Sequence, residues 1–410
     1  MANTKSSILL IPDGFNFKYS GYATAVYAAK VLNKMGYKLA AFAEYDGEQK
    51  DYPYIKFYND RKPFKTRSIN DNSFIKEYED VLDDFKPQFI FVHGAAVNKF
   101  PFYYDAAMRR GIKVVTMWLI NDYFCAKNWA VKDNMPCYEC AKGNFTKAIV
   151  HNCYPAAWID NVSELKKRKN QLTGLYLRSK LRPRLLKNHK VIGSGKPQVK
   201  MYRDFGYTNE QIIECPFFYD PERIPSVNSK RGDYFIFLGQ HSETKGWTLI
   251  SRIMDLCPEI KFITPLMDTA WKTQSTIKKF GFQKHIESGQ LKIVTGKRWG
   301  TGVENLVAES CGVINPSLWD STGESVLMES LGLKKPVVVF DIGVHKEIFR
   351  DKVNGLIAPL NDIKGFAERI KYVYGINNDE YERISQNARS LFDYLTSDSI
   401  YIAALEEAFT

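Results

Sequence analysis

The sequence predicts an α/β protein of two domains, each built round a parallel sheet. Three observations lead there. The chain has 410 residues, 45% hydrophobic and 14% aromatic, enough for two full cores and too apolar for disorder. Short apolar runs suited to buried strands recur ahead of helical patterns, at 7–12, 39–43, 87–92, 114–119, 191–194, 234–238, 291–294, 312–314 and 337–340. That alternation is the signature of strands joined by crossover helices. No uninterrupted apolar run is long enough to span a membrane.

The stretch 312–340 is the most informative. Gly312-Val313-Ile314 suits a buried strand, and Pro316 to Gly323 a polar loop. Ser321 and Glu324 stand three apart ahead of Val326, Leu327 and Met328, the spacing of a capping box. A helix is therefore expected from there to about Leu333, with Lys334 and Lys335 facing its negative end and Pro336 stopping it. Val337 to Phe340 is the next strand. In a parallel sheet this unit brings the loop and helix N-terminus to the carboxyl edge, where ligands bind. Free backbone N–H groups there suit a phosphate.

Pro316, Ser317, Gly323, Glu329, Gly332, Pro336 and Val337 resemble, in order, the donor-nucleotide motif of glycosyltransferase family 4 and its relatives. The resemblance implies the GT-B fold: two Rossmann-like, doubly wound domains facing across a cleft. It implies retaining transfer of a sugar from a UDP- or GDP-linked nucleotide-diphospho-sugar, without a catalytic divalent metal. It gives Glu329 the ribose hydroxyls, two charge-assisted hydrogen bonds to one carboxylate. The first acidic residue of the motif departs from the family: Ser321 holds its place, and Asp320 and Glu324 are the two candidates for its sugar contact. Thr322 and Gly323 would stand with Ser321 at the helix start, beside the phosphates.

The run 234–246 looks like the first strand and loop of the family's donor domain. Gly239 and Lys245-Gly246 match, whereas Gln240 stands where relatives carry Arg. Lys245 is thus the expected cation on the leaving diphosphate, and Lys297 and Arg298 are the substitutes for the missing one. Downstream, Gly343, Glu347 and the turn Asn354-Gly355 look like the loop and hairpin that follow in this family.

The chain opens with a strand at 7–12, a loop at 14–21 and a helix at 22–35 closed by Gly36. This opening resembles the acceptor-side domain of the family, with only Gly21 of its usual glycine pair. No G-x-G-x-x-G follows the strand, which counts against a dinucleotide loop. His93 and Asn121-Asp122 end two later strands, on the acceptor side by resemblance. Asn121 stands where relatives carry His, and Asp122 is a polar catalytic candidate. His93 reads equally well as a satisfied core histidine. The expected domains are 1–220, a linker at 221–231, and 232–390, with 391–410 as a C-terminal helix packing back on the first.

Cys125, Cys137, Cys140 and Cys153 are spaced for a structural four-thiolate zinc site. Unrelated buried cysteines fit the same pattern. From Lys166 to Lys200 there are twelve Lys and Arg and no Asp or Glu, against a whole-chain net charge of +11. Such a block suits anionic lipid headgroups, a phosphate backbone, or a solvated helix face. Together with the family resemblance, it implies as acceptor a hydroxyl of a lipid-linked glycan, a polysaccharide or a nucleic acid. The alternatives are a viral-type enzyme modifying hydroxylated DNA bases, and a binder of sugar nucleotide or polymer that does not catalyse. The first residues run straight into a strand with no signal-peptide core, which reads as cytoplasmic, with at most peripheral contact to the inner membrane face.

Overall fold

The computed structural model describes residues 5–15, 20–43, 49–59, 72–94, 101–154, 163–239, 242–266, 270–320 and 323–410. The described elements, in chain order, begin with β1 (Lys5–Pro12), α1 (Ser20–Lys34), β2 (Tyr37–Ala43), β3 (Ile55–Asn59), α2 (Asn72–Phe85), β4 (Phe89–His93), α3 (Pro101–Arg109) and β5 (Lys113–Met117). A small hairpin follows, β6 (Val131–Lys132) and β7 (Met135–Pro136), then α4 (Thr146–Val150), α5 (Glu164–Leu185), β8 (Lys190–Gly193), α6 (Lys196–Phe205) and β9 (Ile212–Glu214). The second half runs β10 (Tyr234–Phe237), α7 (Trp247–Asp255), β11 (Lys261–Leu266), α8 (Ala270–Phe280), α9 (Gln283–Glu287), β12 (Leu291–Thr295) and α10 (Val303–Ala308). It closes with β13 (Gly312–Asn315), α11 (Ser325–Gly332), β14 (Val337–Phe340), α12 (His345–Ile348), β15 (Leu356–Ala358), α13 (Ile363–Gly375), α14 (Asn378–Leu395) and α15 (Asp398–Ala408).

The chain divides into two compact units. One holds residues 1–130, 137–220 and 397–410; the other holds 131–136 and 221–396. In the first, seven strands lie in the order β3-β2-β1-β4-β5-β8-β9, every pair parallel. Residues of β1 alternate between its two faces, Leu9 and Ile11 entering one apolar cluster, Ile8 and Leu10 the other. α1 buries Ala25, Val26, Ala29 and Leu32, the helical stripe that its sequence announces. α15 adds Tyr401, Leu405, Ala408 and Phe409 to the same cluster. Each large side chain so buried stabilises by about 2–3 kcal/mol. The Tyr401 hydroxyl donates to the Phe217 carbonyl (3.0 Å), and Asp398 accepts from Tyr27 (2.9 Å) and Lys34 (2.7 Å).

The second unit carries six parallel strands in the order β12-β11-β10-β13-β14-β15. The order reverses between β10 and β13, so their carboxyl ends flank the crevice where doubly wound sheets take ligands. Trp247, Ile250, Ile253 and Met254 of α7 cover one face of this sheet. Among the described residues no helix is long and apolar enough to cross a membrane.

Several expectations are corrected. Beyond β8 the first sheet gains a further strand that the apolar runs do not announce, the three-residue β9. The segment after Asn354-Gly355 is no hairpin arm: β15 runs parallel to β14, with α12 between them. Lys335 does not turn to the negative end of α11. It is 1% exposed and donates to the carbonyls of Lys230 (2.8 Å) and Ser310 (3.0 Å). Burial pulls its ammonium down to about 8. The basic block is also less of a surface than its composition implies. Arg178 donates to the carbonyls of Asp122 (2.6 Å) and Cys125 (3.1 Å), Arg182 to that of Phe205 (2.8 Å), and Arg184 pairs with Asp105 (2.7 Å).

Candidate functional site

Two loops meet outside the carboxyl ends of β10 and β13. The Leu318 N–H donates to the Thr244 carbonyl at 2.9 Å, and Gly246, at φ +74°, lies so close to Pro316 that any Cβ would collide with its carbonyl. A glycine is required there on both counts. This packing sets Lys245 beside the start of α11, where its ammonium lies 3.0 Å from Glu324 Oε1 and 4.6 Å from the centre of the Trp319 ring.

α11 begins one turn later than the capping-box spacing suggests. Glu324 is itself the N-cap, in extended conformation, and its side chain caps nothing. Its carboxylate instead accepts from Asn315 Nδ2 at 2.7 Å, with His345 Nε2 at 3.9 Å. Burial alone would push this carboxyl up; Lys245, His345 and the Asn315 amide outweigh it and hold Glu324 at about 2. Burial keeps His345 below its ordinary value, and its Nδ1–H points to the Phe340 carbonyl at 3.2 Å. Lys245 and Glu324 therefore form a buried, compensated ion pair.

Glu329 lies one turn further along α11, 8% exposed. Its nearest charged neighbour is Arg223, whose Nη2 stands 3.9 Å from Oε1, beyond hydrogen-bond length. Burial pushes the carboxyl up to about 8, against the pull of Arg223 and with a further push from Glu304. Its oxygens accept no hydrogen bond from any described residue. A buried carboxylate with idle acceptor capacity is costly to the fold unless a ligand completes it. Arg223 is fixed in turn by the loop after β12: the Trp299 indole N–H donates to the Arg223 carbonyl at 3.2 Å.

The remaining expected donor residues fall around the same sheet edge. Gly239 (φ +118°) is exposed at the end of β10 with open space where a Cβ would stand. Lys297 and Arg298 are exposed after β12. Asp320 is half-buried in the loop before α11, close enough to His345 to act on its charge. Gly323 (φ +143°) is buried and Gly343 (φ +55°) ends the loop after β14. Ser321, Thr322 and Gln240 lie outside the described residues. Asn315, Trp319, Arg223 and His345 carry no sequence signal of their own; the last three reach the site through contacts distant in the chain, and Asn315 from the end of β13.

In the first unit, Gly21 sits in the opening turn of α1. His93 and Asn121 are fully buried, and none of their side-chain nitrogens or oxygens finds a partner among the described residues. Burial pulls the His93 imidazole down to about 3, leaving it neutral. Asp122 is buried beside Arg178. Among the described residues no group of His, Cys, Asp and Glu is placed to hold a metal. Cys125, Cys137, Cys140 and Cys153, the expected zinc ligands, form no disulfide. Cys125 and Cys140 pack on the apolar cluster. Burial, then the neighbouring thiols of Cys125, Cys153 and Cys137, push Cys140 up to about 11.

Residues 220–391 match the family model of glycosyl transferases group 1. No curated protein matches the chain significantly. Among solved structures, sucrose-phosphate synthase from Thermosynechococcus elongatus aligns at 11% identity and TM-score 0.65, over 98% of each chain. HepE of Anabaena, bound to UDP and glucose, aligns at 12% and 0.64, over 98% of this chain and 99% of its own. A TarM variant of S. aureus, with fondaparinux, α-GlcNAc-glycerol and UDP, aligns at 10% and 0.65, over 99% of this chain and 100% of its own. At such identities the structures speak for the fold, and the family model for its chemistry. Residues 220–391 thus form a glycosyl transferases group 1 domain, and the chain that carries it is a glycosyltransferase of the GT-B fold.

Proposed function

We propose that this glycosyltransferase moves a sugar from a UDP-linked donor to a hydroxyl of a polymeric or lipid-linked acceptor, retaining the anomeric configuration. The observation that carries the donor side is Glu329: buried, its oxygens accepting no described hydrogen bond, and on the helix that starts at the switch point of the second sheet. Two ribose hydroxyls would satisfy both of its oxygens at once. UDP is favoured over GDP because the structural neighbours HepE and TarM are described with UDP.

The leaving diphosphate gains negative charge as the sugar bond breaks, and fixed positive groups lower that barrier. In this reading Lys245 and the backbone N–H groups opening α11 meet it, with Lys297 and Arg298 supplying what the Glu324 carboxylate takes from Lys245. Glu324, anchored by Lys245 and Asn315, or Asp320 contacts the transferred sugar. His93, Asn121 and Asp122 form the acceptor side. The test is transfer and donor hydrolysis with a panel of UDP- and GDP-sugars. Turnover of one UDP-sugar supports the reading. Donor binding with no transfer or hydrolysis makes the chain a non-catalytic binder and overturns it.

A further inference from the structure

Helix α5 has two unlike faces. Gln171, Leu175, Leu181 and Leu185 are buried, and the Gln171 amide donates to the carbonyls of Ala148 (2.9 Å) and Cys153 (3.0 Å). This ties α5 to α4. The opposite face is a solvent stripe of Leu165, Lys169, Leu172, Tyr176 and Lys180, at the three-and-four spacing of one helix side. Leu165 is 84% exposed, Leu172 and Tyr176 each 53%. On the adjoining α4, Val150 is 72% exposed.

Apolar groups standing in water between lysines need an explanation. Lys166, Lys169 and Lys180 pair with no carboxylate among the described residues, and no acidic residue lies between 165 and 200. Three of the block's four arginines are turned inward, Arg178 and Arg182 holding backbone carbonyls and Arg184 holding Asp105, while Arg168 is exposed.

We propose that this face docks on an anionic lipid bilayer. Leu165, Leu172, Tyr176 and Val150 enter the headgroup boundary, and Lys166, Lys169 and Lys180 meet the lipid phosphates. The chemistry of interfacial helices is this combination: an apolar line laid in the membrane plane with basic side chains reaching up beside it. A nucleic acid fits less well. Its backbone rewards arginine forks, which three of the four arginines here spend elsewhere, and gains nothing from exposed leucine and valine. The proposal extends the acceptor side of the reading above. Lipid binding is measured without sugar nucleotide, so its failure leaves the donor chemistry standing.

The experiment is flotation of the full chain with vesicles of phosphatidylcholine, and of equal parts phosphatidylcholine and phosphatidylglycerol. Two variants are run beside it: Leu165→Ser/Leu172→Ser/Tyr176→Ser and Lys169→Glu/Lys180→Glu. The expected result is binding to the anionic vesicles only, weakened about tenfold or more in each variant, with melting temperature and donor hydrolysis unchanged. Failure of the wild-type chain to float overturns the proposal, and so does undiminished binding by the apolar triple variant. Salt-sensitive binding to duplex DNA that survives the triple variant would also overturn it and make the face a nucleic-acid surface.

Discussion

Arg223 Nη2 stands 3.9 Å from Glu329 Oε1, near enough to bias the carboxyl and too far to hydrogen-bond it. Arg223 draws Glu329 down, though burial still leaves it at about 8. Arg223→Ala should let the carboxyl climb further, weakening donor binding at neutral pH by about tenfold or more. In the wild type, donor affinity should increase as pH rises through about 8; the variant's profile should lie at higher pH, with Arg223→Lys between them. Binding isotherms across pH check this, and superimposable profiles would remove Arg223 from the site.

Glu329 also sets a stability slope. Its folded value lies above that of the unfolded chain, so the native state keeps a proton that the unfolded chain releases. That stability is full below the ordinary glutamate range and is lost as pH rises toward about 8. Glu329→Gln should flatten the slope, gaining on the order of 2–4 kcal/mol at alkaline pH. Glu329→Ala should cut donor turnover about a hundredfold or more. Thermal melts without donor and steady-state kinetics test the two halves separately.

The Lys245–Glu324 pair behaves in the opposite sense. Glu324 is held below its unfolded value, so its contribution is present above the ordinary glutamate range and lost as pH falls toward about 2. Lys245→Met strands a buried carboxylate and should cost about 3–5 kcal/mol. Adding Glu324→Gln should restore most of that stability while turnover stays low. Denaturant melts of the two single variants and the double variant decide it, and full activity in the double variant would move the phosphate role to Lys297 and Arg298.

Gly246→Ala should be among the most damaging single changes in the second unit. It sets a Cβ against the Pro316 carbonyl at a positive φ, with an expected cost of about 2–4 kcal/mol. A variant melting at the wild-type temperature would mean that the two loops are not locked together as described.

Legibility followed the range of the interactions. The β13–α11–β14 unit could be read because apolar runs, a stopping proline and strand length are local signals. The start of α11 could not: Ser321 and Glu324 have capping spacing, but Glu324 gains more from Lys245, remote in sequence, and from Asn315 at the end of β13 than from a backbone N–H. The partners of Arg178 and Lys335 could not be read, because composition cannot tell a solvated cation from one satisfied by buried carbonyls. β9 was missed because three residues carry no periodicity. Glu329 was found from its motif, but the neighbour that tunes it, Arg223, lies over a hundred residues upstream with nothing beside it to mark it.

The first unit is stitched from both ends of the chain: α15 adds Tyr401, Leu405 and Phe409 to a core that β1 and α1 began. During synthesis, residues 221–396 leave the ribosome before that closing helix does. The earlier-made half must therefore wait with part of its apolar surface uncovered while the later-made half folds. Synthesis halted just short of residue 397 would leave the sugar-nucleotide half whole and its companion unsealed.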